Sequence, residues 1–116
     1  MMIKLSILSV LLISSNISYA SPPSVEDYLK HDKNEQHDMY IYGLESGLEW
    51  AQEHIYTKNS IEFFCKPGDL VLSASQLRSL INKEIQENSS FYDKYNDAPL
   101  LGLALRNAYI TNFPCQ

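Results

Sequence analysis

Several short patterns that mark enzymes are missing from this sequence of 116 residues. It has no glycine-rich loop for a phosphate, no G-x-S-x-G around a serine nucleophile and no H-E-x-x-H zinc pattern. None of the three histidines, His31, His37 and His54, adjoins a serine motif, so we expect all three to be solvated. A metal site at His37 and Asp38 would need ligand spacings that the sequence does not contain. The sequence therefore predicts a protein that is not an enzyme and uses no metal or cofactor.

An excess of positive charge is also missing. The chain has 14 acidic and 9 basic residues, which gives a net charge of −5. Nucleic acids and anionic membrane surfaces attract basic proteins, so this balance argues against both as partners. A basic protein partner is compatible with it, because opposite charges speed encounter and help to select partners.

A continuous apolar stretch of membrane-spanning length is absent as well. Residues 5–13 are mostly apolar, but crossing a bilayer takes about 20 residues. This stretch follows Lys4 and precedes the small residues Ser18 and Ala20, an arrangement typical of a secretory signal peptide. The alternative is a core helix at the amino terminus. We predict a signal peptide over residues 1–20 and a single periplasmic domain over residues 21–116, whose net charge is −6 because Lys4 is removed.

Cysteine is scarce, since Cys65 and Cys115 are the only two in the chain. In an oxidising compartment an isolated pair of this kind is expected to form a disulfide. Closing the 51 residues from Cys65 to Cys115 would stabilise the fold by about 4 kcal/mol through loss of chain entropy. The two alternatives are weaker: a catalytic thiol needs a free thiolate, and a structural zinc site needs closely spaced ligand pairs.

The residues that remain predict helices. Ser24 is a candidate N-cap, with Asp27 three residues later, for a first helix over Val25–Lys30. A second helix is expected over residues 34–56, because apolar residues recur there at steps of three and four. These residues are Ile41, Leu44, Leu48, Ala51 and Ile55. Gly43 and Gly47 lie four apart beside this stripe, which predicts a close helix crossing.

Two more helices follow a loop over residues 59–69, which Phe63 and Phe64 are expected to anchor. Ser73 and Gln76 form a capping box for the third helix. Asp97 is the expected cap of the fourth, which Pro114 ends. The apolar stripes of these helices are Leu77, Leu80, Ile81 and Ile85, and then Leu100, Leu101, Ala104, Leu105 and Ala108. The predicted fold is all-α, a small bundle of about four helices in which one disulfide holds the last helix against the loop.

Polar and aromatic surface residues are the remaining candidates for function. Glu45, Glu49 and Glu53 form an acidic ridge that we expect to face water. Tyrosine offers a large contact area at low entropic cost, so exposed tyrosines favour protein interfaces. The candidate partner-binding residues are Tyr56, Tyr92, Asp93, Tyr95 and Asp97. An equally weighted alternative is that Phe91 and Tyr95 merely close over the core.

Three segments, taken in order, resemble the Rap/Tai family of type VI secretion amidase immunity proteins. They are Met39-Tyr40-Ile41-Tyr42-Gly43 with Gly47, Phe64-Cys65-Lys66-Pro67, and the terminal Phe113-Pro114-Cys115. The resemblance covers roughly residues 40–115, and its most specific part combines the F-C-x-P and F-P-C motifs. Many members carry further cysteines near the first helices, which this chain lacks.

The resemblance implies a helical periplasmic protein that binds a secreted peptidoglycan amidase and occludes its active-site cleft, which protects the producing cell. Characterised relatives often act as dimers, so the resemblance also allows a homodimer. An alternative function is that of a periplasmic acid-stress chaperone resembling the HdeA-like proteins, which are also helical, exported and built around one disulfide. A chaperone of this kind would loosen in acid as its carboxylates become protonated.

Overall fold

A computed structural model describes residues 21–31 and 33–116, and the predicted signal peptide over residues 1–20 lies outside them. The described residues form five helices and no strand. The helices are α1 (Val25–Lys30), α2 (Glu35–Asn59), α3 (Ala74–Glu87), α4 (Ser89–Lys94) and α5 (Leu101–Asn112). The all-α prediction is confirmed. The additional helix is α4, a short segment for which the sequence predicts no helix.

Local hydrogen bonds explain where the first three helices begin. The Ser24 hydroxyl accepts a hydrogen bond from the Asp27 amide at 3.0 Å, and the side chain of Asn34 caps α2. Ser73 and Gln76 exchange side-chain and backbone hydrogen bonds in the predicted capping box. These caps satisfy amide groups that have no partner within the first turn of a helix.

The core lies mainly between α3 and α5, whose apolar stripes face each other. Residues from every other helix and from the loop before α3 complete it. The fully buried apolar side chains are Val25, Tyr28, Ile41, Phe64, Leu77, Ile81, Ile85, Tyr92, Leu101, Ala104, Leu105, Ala108 and Tyr109. The predicted stripes of α3 and α5 are confirmed, with Leu80 and Leu100 partly buried at their edges. Phe64 anchors the loop as expected, whereas Phe63 is exposed.

The apolar stripe of α2 is only partly buried. Ile41 is fully buried, Leu44, Leu48 and Ile55 are partly buried, and Ala51 is exposed. With 25 residues α2 is about 37 Å long, whereas α3 and α5, with 14 and 12 residues, reach about 21 and 18 Å. Because α2 is much longer than the helices it packs against, they cannot cover both of its ends.

The close helix crossing predicted at Gly43 and Gly47 is not present. A Cβ atom at either position would have no neighbouring atom within 4 Å beyond the helix itself. The close approach occurs instead at Gly102 in α5, where a Cβ would lie 3.3 Å from Cδ2 of Leu44. The glycine that permits tight packing is therefore on the partner helix.

This difference gives a prediction for three matched substitutions. Gly43→Ala and Gly47→Ala should each raise the free energy of unfolding by roughly 0.5–1 kcal/mol, because alanine favours the helix and meets no neighbour. Gly102→Ala should give no gain or a loss, because Leu44 must move. Urea denaturation measures all three. Stabilisation at Gly102 alone would contradict the packing described here.

The predicted cap of the last helix at Asp97 is wrong. The helix begins at Leu101, its N-cap is Leu100, and no side chain caps it. Pro99 explains the shift, because a proline disfavours the helical conformation at the residue before it, here Ala98. The amide of Ala98 instead donates to the carbonyl of Tyr95 in a turn.

The disulfide between Cys65 and Cys115 is present, as predicted. Next to it the Cys65 amide donates to the carbonyl of Phe113 at 2.7 Å. The ring of Tyr109 lies between those of Phe113 and Phe64, with centroid distances of 5.3 and 5.1 Å. The carboxyl end of the chain is thus held against the loop between α2 and α3 by a covalent bond, a hydrogen bond and edge-to-face ring contacts.

Candidate partner-binding surface

Tyr92, a predicted contact residue, is a core residue. Its side chain is 1% exposed, and its hydroxyl donates to Oε1 of the buried Glu84 at 3.2 Å. Desolvation, with a smaller contribution from the Glu84 charge, raises the pKa of Tyr92 to about 12. The prediction that Tyr92 contacts a partner needs correction, because α4 turns this ring toward α3 and away from solvent.

The other candidates near α4 are on the surface. Asp93, Tyr95 and Asp97 are exposed. The ring of Phe91 lies 5.2 Å from that of Tyr95, and Nζ of Lys94 is 5.3 Å from the Tyr95 ring centroid. Tyr95 therefore packs locally with its neighbours while keeping part of its ring accessible, so it remains a candidate for partner contact.

The last candidate, Tyr56, lies on the exposed end of α2, beside the segment that leads to the disulfide. Gln52 holds this segment in place. Its side-chain oxygen accepts from the amides of Phe63 and Phe64 at 3.0 and 2.9 Å, and its side-chain nitrogen donates to the carbonyl of Phe64 at 2.7 Å. One side chain therefore satisfies three backbone groups of an irregular segment.

Gln52→Ala is expected to lower the free energy of unfolding by about 2 kcal/mol, because partly buried backbone groups lose their partners. Glu53→Ala is the matched control, since the neighbouring side chain is exposed and has no partner among the described residues. That control should change stability by less than about 0.5 kcal/mol. Thermal unfolding of both variants tests the prediction, and equal effects would refute the role of Gln52.

The acidic ridge does not face water along its whole length, contrary to expectation. Nζ of Lys66, whose side chain is 7% exposed, lies 3.4 Å from Oε1 of Glu45 and 2.8 Å from Oε1 of Glu49. It also donates to the carbonyl of Leu70 at 2.7 Å, and the Tyr109 hydroxyl donates to Oε1 of Glu45 at 3.1 Å. Glu45 and Glu49 thus belong to a partly buried ion-pair network that joins α2 to the disulfide loop.

Burial has opposite effects on the pKa values in this network. Desolvation and the neighbouring Glu49 raise the pKa of the Glu45 carboxyl, against the smaller lowering effects of Tyr109 and Lys66. For Lys66, desolvation is the largest single influence and lowers the pKa, but the combined attraction of Glu49 and Glu45 outweighs it and raises the pKa. Desolvation also raises the pKa of Tyr109. The ionised form of Glu45 is therefore stabilised by the Tyr109 hydroxyl and, to a smaller extent, by the Lys66 charge.

Two shallow depressions of about 170 and 260 Å³ lie on the exposed half of α2. Both are lined by Glu49 and Glu53, so they are adjacent. The first also includes Tyr56 and Glu62, and the second includes Trp50. We call the surface formed by Glu49, Trp50, Glu53, Tyr56 and Glu62 the acidic-aromatic face. Trp50, the only tryptophan in the chain, is 68% exposed, and Tyr56 is 52% exposed.

Trp50 was not among the residues chosen from the sequence. The signal was nevertheless there, since Trp50 falls between the apolar positions Leu48 and Ala51 and immediately follows a glutamate. A tryptophan at a polar position of an amphipathic helix is directed away from the core stripe. Large exposed aromatic residues of this kind are enriched at binding hot spots.

The expectation of solvated histidines is wrong for His37, which is buried. Its Nε2 lies 3.4 Å from Oδ2 of Asp27, a contact that joins α1 to α2, and its buried Nδ1 has no hydrogen-bond partner within residues 21–31 and 33–116. His31 and His54 are exposed, as expected. His37 thus acts as a packing residue between the first two helices.

One group among residues 21–31 and 33–116 has the ligand spacing for a metal ion: Glu62 with Cys65 and Cys115. Both sulphur atoms are joined in the disulfide, so neither is a thiolate, and metal binding by cysteine requires the thiolate.

Among residues 21–31 and 33–116 no helix combines the length and apolar character needed to cross a bilayer. Comparisons of the chain with protein-family models, with curated proteins and with solved structures found no match.

Proposed function

We propose that this protein is a periplasmic immunity protein, which binds a type VI secreted peptidoglycan amidase and blocks its active-site cleft. The observation that carries the proposal is the acidic-aromatic face. There, Trp50 and Tyr56 stand exposed among carboxylates, on the half of α2 that its neighbouring helices leave uncovered. A helix face with exposed aromatic side chains is well suited to contact another protein.

Two further features support the proposal. Both cysteines are in a disulfide, so neither thiol is available for nucleophilic catalysis, and a disulfide is characteristic of an oxidising compartment such as the periplasm. The order of the F-C-x-P and F-P-C motifs resembles that of the amidase immunity proteins, and in the fold these two motifs are joined at Cys65 and Cys115.

Complex formation with a type VI secreted peptidoglycan amidase of the producing cell tests the proposal. The chain purified from the periplasm should elute with that amidase as one species of defined stoichiometry in size-exclusion chromatography with light scattering. The chain run alone shows whether it is a homodimer. Failure to form a complex at micromolar concentrations would refute the proposed function.

A further inference from the structure

Trp50 and Tyr56 lie on a helix face that the other described residues leave largely exposed. Neither ring makes an aromatic contact, and neither side chain has a hydrogen-bond partner among the described residues. Keeping a tryptophan and a tyrosine in water forgoes the favourable transfer of their apolar surface. Burying these two rings against another molecule would therefore be favourable in free energy.

The charge around these two rings is strongly negative. The two depressions are lined by Glu45, Glu49, Glu53 and Glu62 and by the single cation Lys66, a net charge of −3. Lys66 is already shared by Glu45 and Glu49. Glu53 and Glu62 have no cationic partner among residues 21–31 and 33–116, so their charges remain uncompensated at the surface.

We propose that the acidic-aromatic face is the surface that holds the effector, and that it binds a basic segment of that partner. Lysine or arginine side chains of the segment pair with Glu53 and Glu62 and lie against the rings of Trp50 and Tyr56. Cations are attracted both by carboxylates and by the faces of aromatic rings. The identity of the partner rests on the proposed function, whereas its basic character follows from the face itself.

Other occupants fit this face less well. A second copy of the chain docked through the same face would bring two sets of uncompensated carboxylates together. Nucleic acids and anionic membranes carry the same sign of charge as the face. A neutral apolar partner would desolvate Glu53 and Glu62 without pairing them, and this costs free energy.

The chemistry of the face can be tested without the effector. Because the chain has one tryptophan, 5-fluorotryptophan labelling gives a single ¹⁹F resonance that reports on Trp50. Titration with a hexa-arginine peptide at low salt should shift this resonance, and salt should suppress the shift. Glu53→Gln/Glu62→Gln should weaken binding of the peptide at least about tenfold. Glu35→Gln/Glu87→Gln, which removes two exposed charges elsewhere, should weaken binding of the peptide much less.

Calorimetry with the amidase tests the same face in the complex. Trp50→Ala should weaken binding by about 30-fold, as expected for a hot-spot residue. Met39→Ala, which truncates another exposed side chain of α2 outside the acidic-aromatic face, is the control and should leave the affinity within about threefold. Circular dichroism of each variant checks that the helices are intact.

The outcomes separate the two proposals. If the amidase binds but Trp50→Ala and Glu53→Gln/Glu62→Gln bind as tightly as the unaltered chain, the face is wrong and the proposed function stands. If the peptide binds at Trp50 but the amidase does not bind, the proposed function is wrong. The preference of the face for basic ligands then still stands. A hexa-arginine peptide that leaves the Trp50 resonance unmoved, or that both charge variants weaken equally, overturns the inferred chemistry.

Discussion

The chain without its disulfide is expected to lose about 4 kcal/mol of its free energy of unfolding, because the 51-residue loop from Cys65 to Cys115 is no longer closed in the unfolded state. That loss is a large part of the roughly 5–15 kcal/mol typical of a domain. For a domain of this size it corresponds to a decrease in Tm of about 15 °C or more. Cys65→Ala/Cys115→Ala, compared with the oxidised chain by thermal unfolding, measures the effect.

Reduction provides the control for the cysteine variant. Dithiothreitol should lower the Tm of the unaltered chain by a similar amount, because it opens the same loop, and should leave the double variant unchanged. A loss below about 1 kcal/mol in the variant would mean that the loop closure contributes little, contrary to the chain-entropy argument.

Lys66→Met should be the second most damaging change, lowering the free energy of unfolding by about 3 kcal/mol at neutral pH. The substitution leaves Glu45 and Glu49 without their cation and the carbonyl of Leu70 without its donor. Removing one partner of a buried ion pair costs about 3–5 kcal/mol, and the partial exposure of Glu49 places the effect at the lower end. Urea denaturation gives the difference, with the exposed Lys58→Met as the control.

The pH dependence of Lys66→Met follows from Glu45. Its pKa in the folded chain already lies above the ordinary value of 4.5, and loss of the Lys66 charge raises it further. A raised carboxyl pKa means that the folded state holds the proton more tightly than the unfolded state. The stabilisation that this tighter proton binding provides is complete at pH values below the pKa of Glu45 in the unfolded chain. It is lost as the pH rises through the pKa of Glu45 in the folded chain.

The deficit of Lys66→Met should therefore shrink between neutral pH and about pH 4.5. Glu45→Gln/Lys66→Met should recover part of the stability at neutral pH, because the least solvated charge is gone. A deficit that stays constant over this pH range would show that Lys66 acts through packing alone.

The same carboxyl bears on the acid-chaperone alternative. Protonation of Glu45 favours the folded state, which opposes the acid-triggered loosening that a chaperone of the HdeA-like kind requires. Dye binding and protection of an aggregating client in acid distinguish the two functions. The immunity proposal predicts that the chain stays compact and inactive as a chaperone.

The parts of the fold that depend on residues close together in the sequence were predictable. Ser24 with Asp27 and Ser73 with Gln76 are local caps, and the periods of the α3 and α5 stripes determine which side chains face inward. The disulfide followed from having only two cysteines and a predicted oxidising compartment. Each of these inferences needs no knowledge of how distant segments pack.

The parts that depend on distant contacts were not predictable. Ala51 is exposed although it lies on the apolar stripe of α2, whereas Ile55, farther along the same stripe, is partly buried. Lys66 meets Glu45 across 21 residues of sequence, and His37 meets Asp27 across a turn. Tyr92 was predicted to be a surface residue because the residues around it are polar. That composition does not reveal the short helix that packs on α3 and buries Tyr92.

A titration of amidase turnover against increasing amounts of the chain tests the central claim most directly. At enzyme concentrations above the dissociation constant, hydrolysis of peptidoglycan should decrease linearly and stop when every active site is covered. Turnover that continues undiminished while the two proteins form a complex would contradict occlusion as the mechanism.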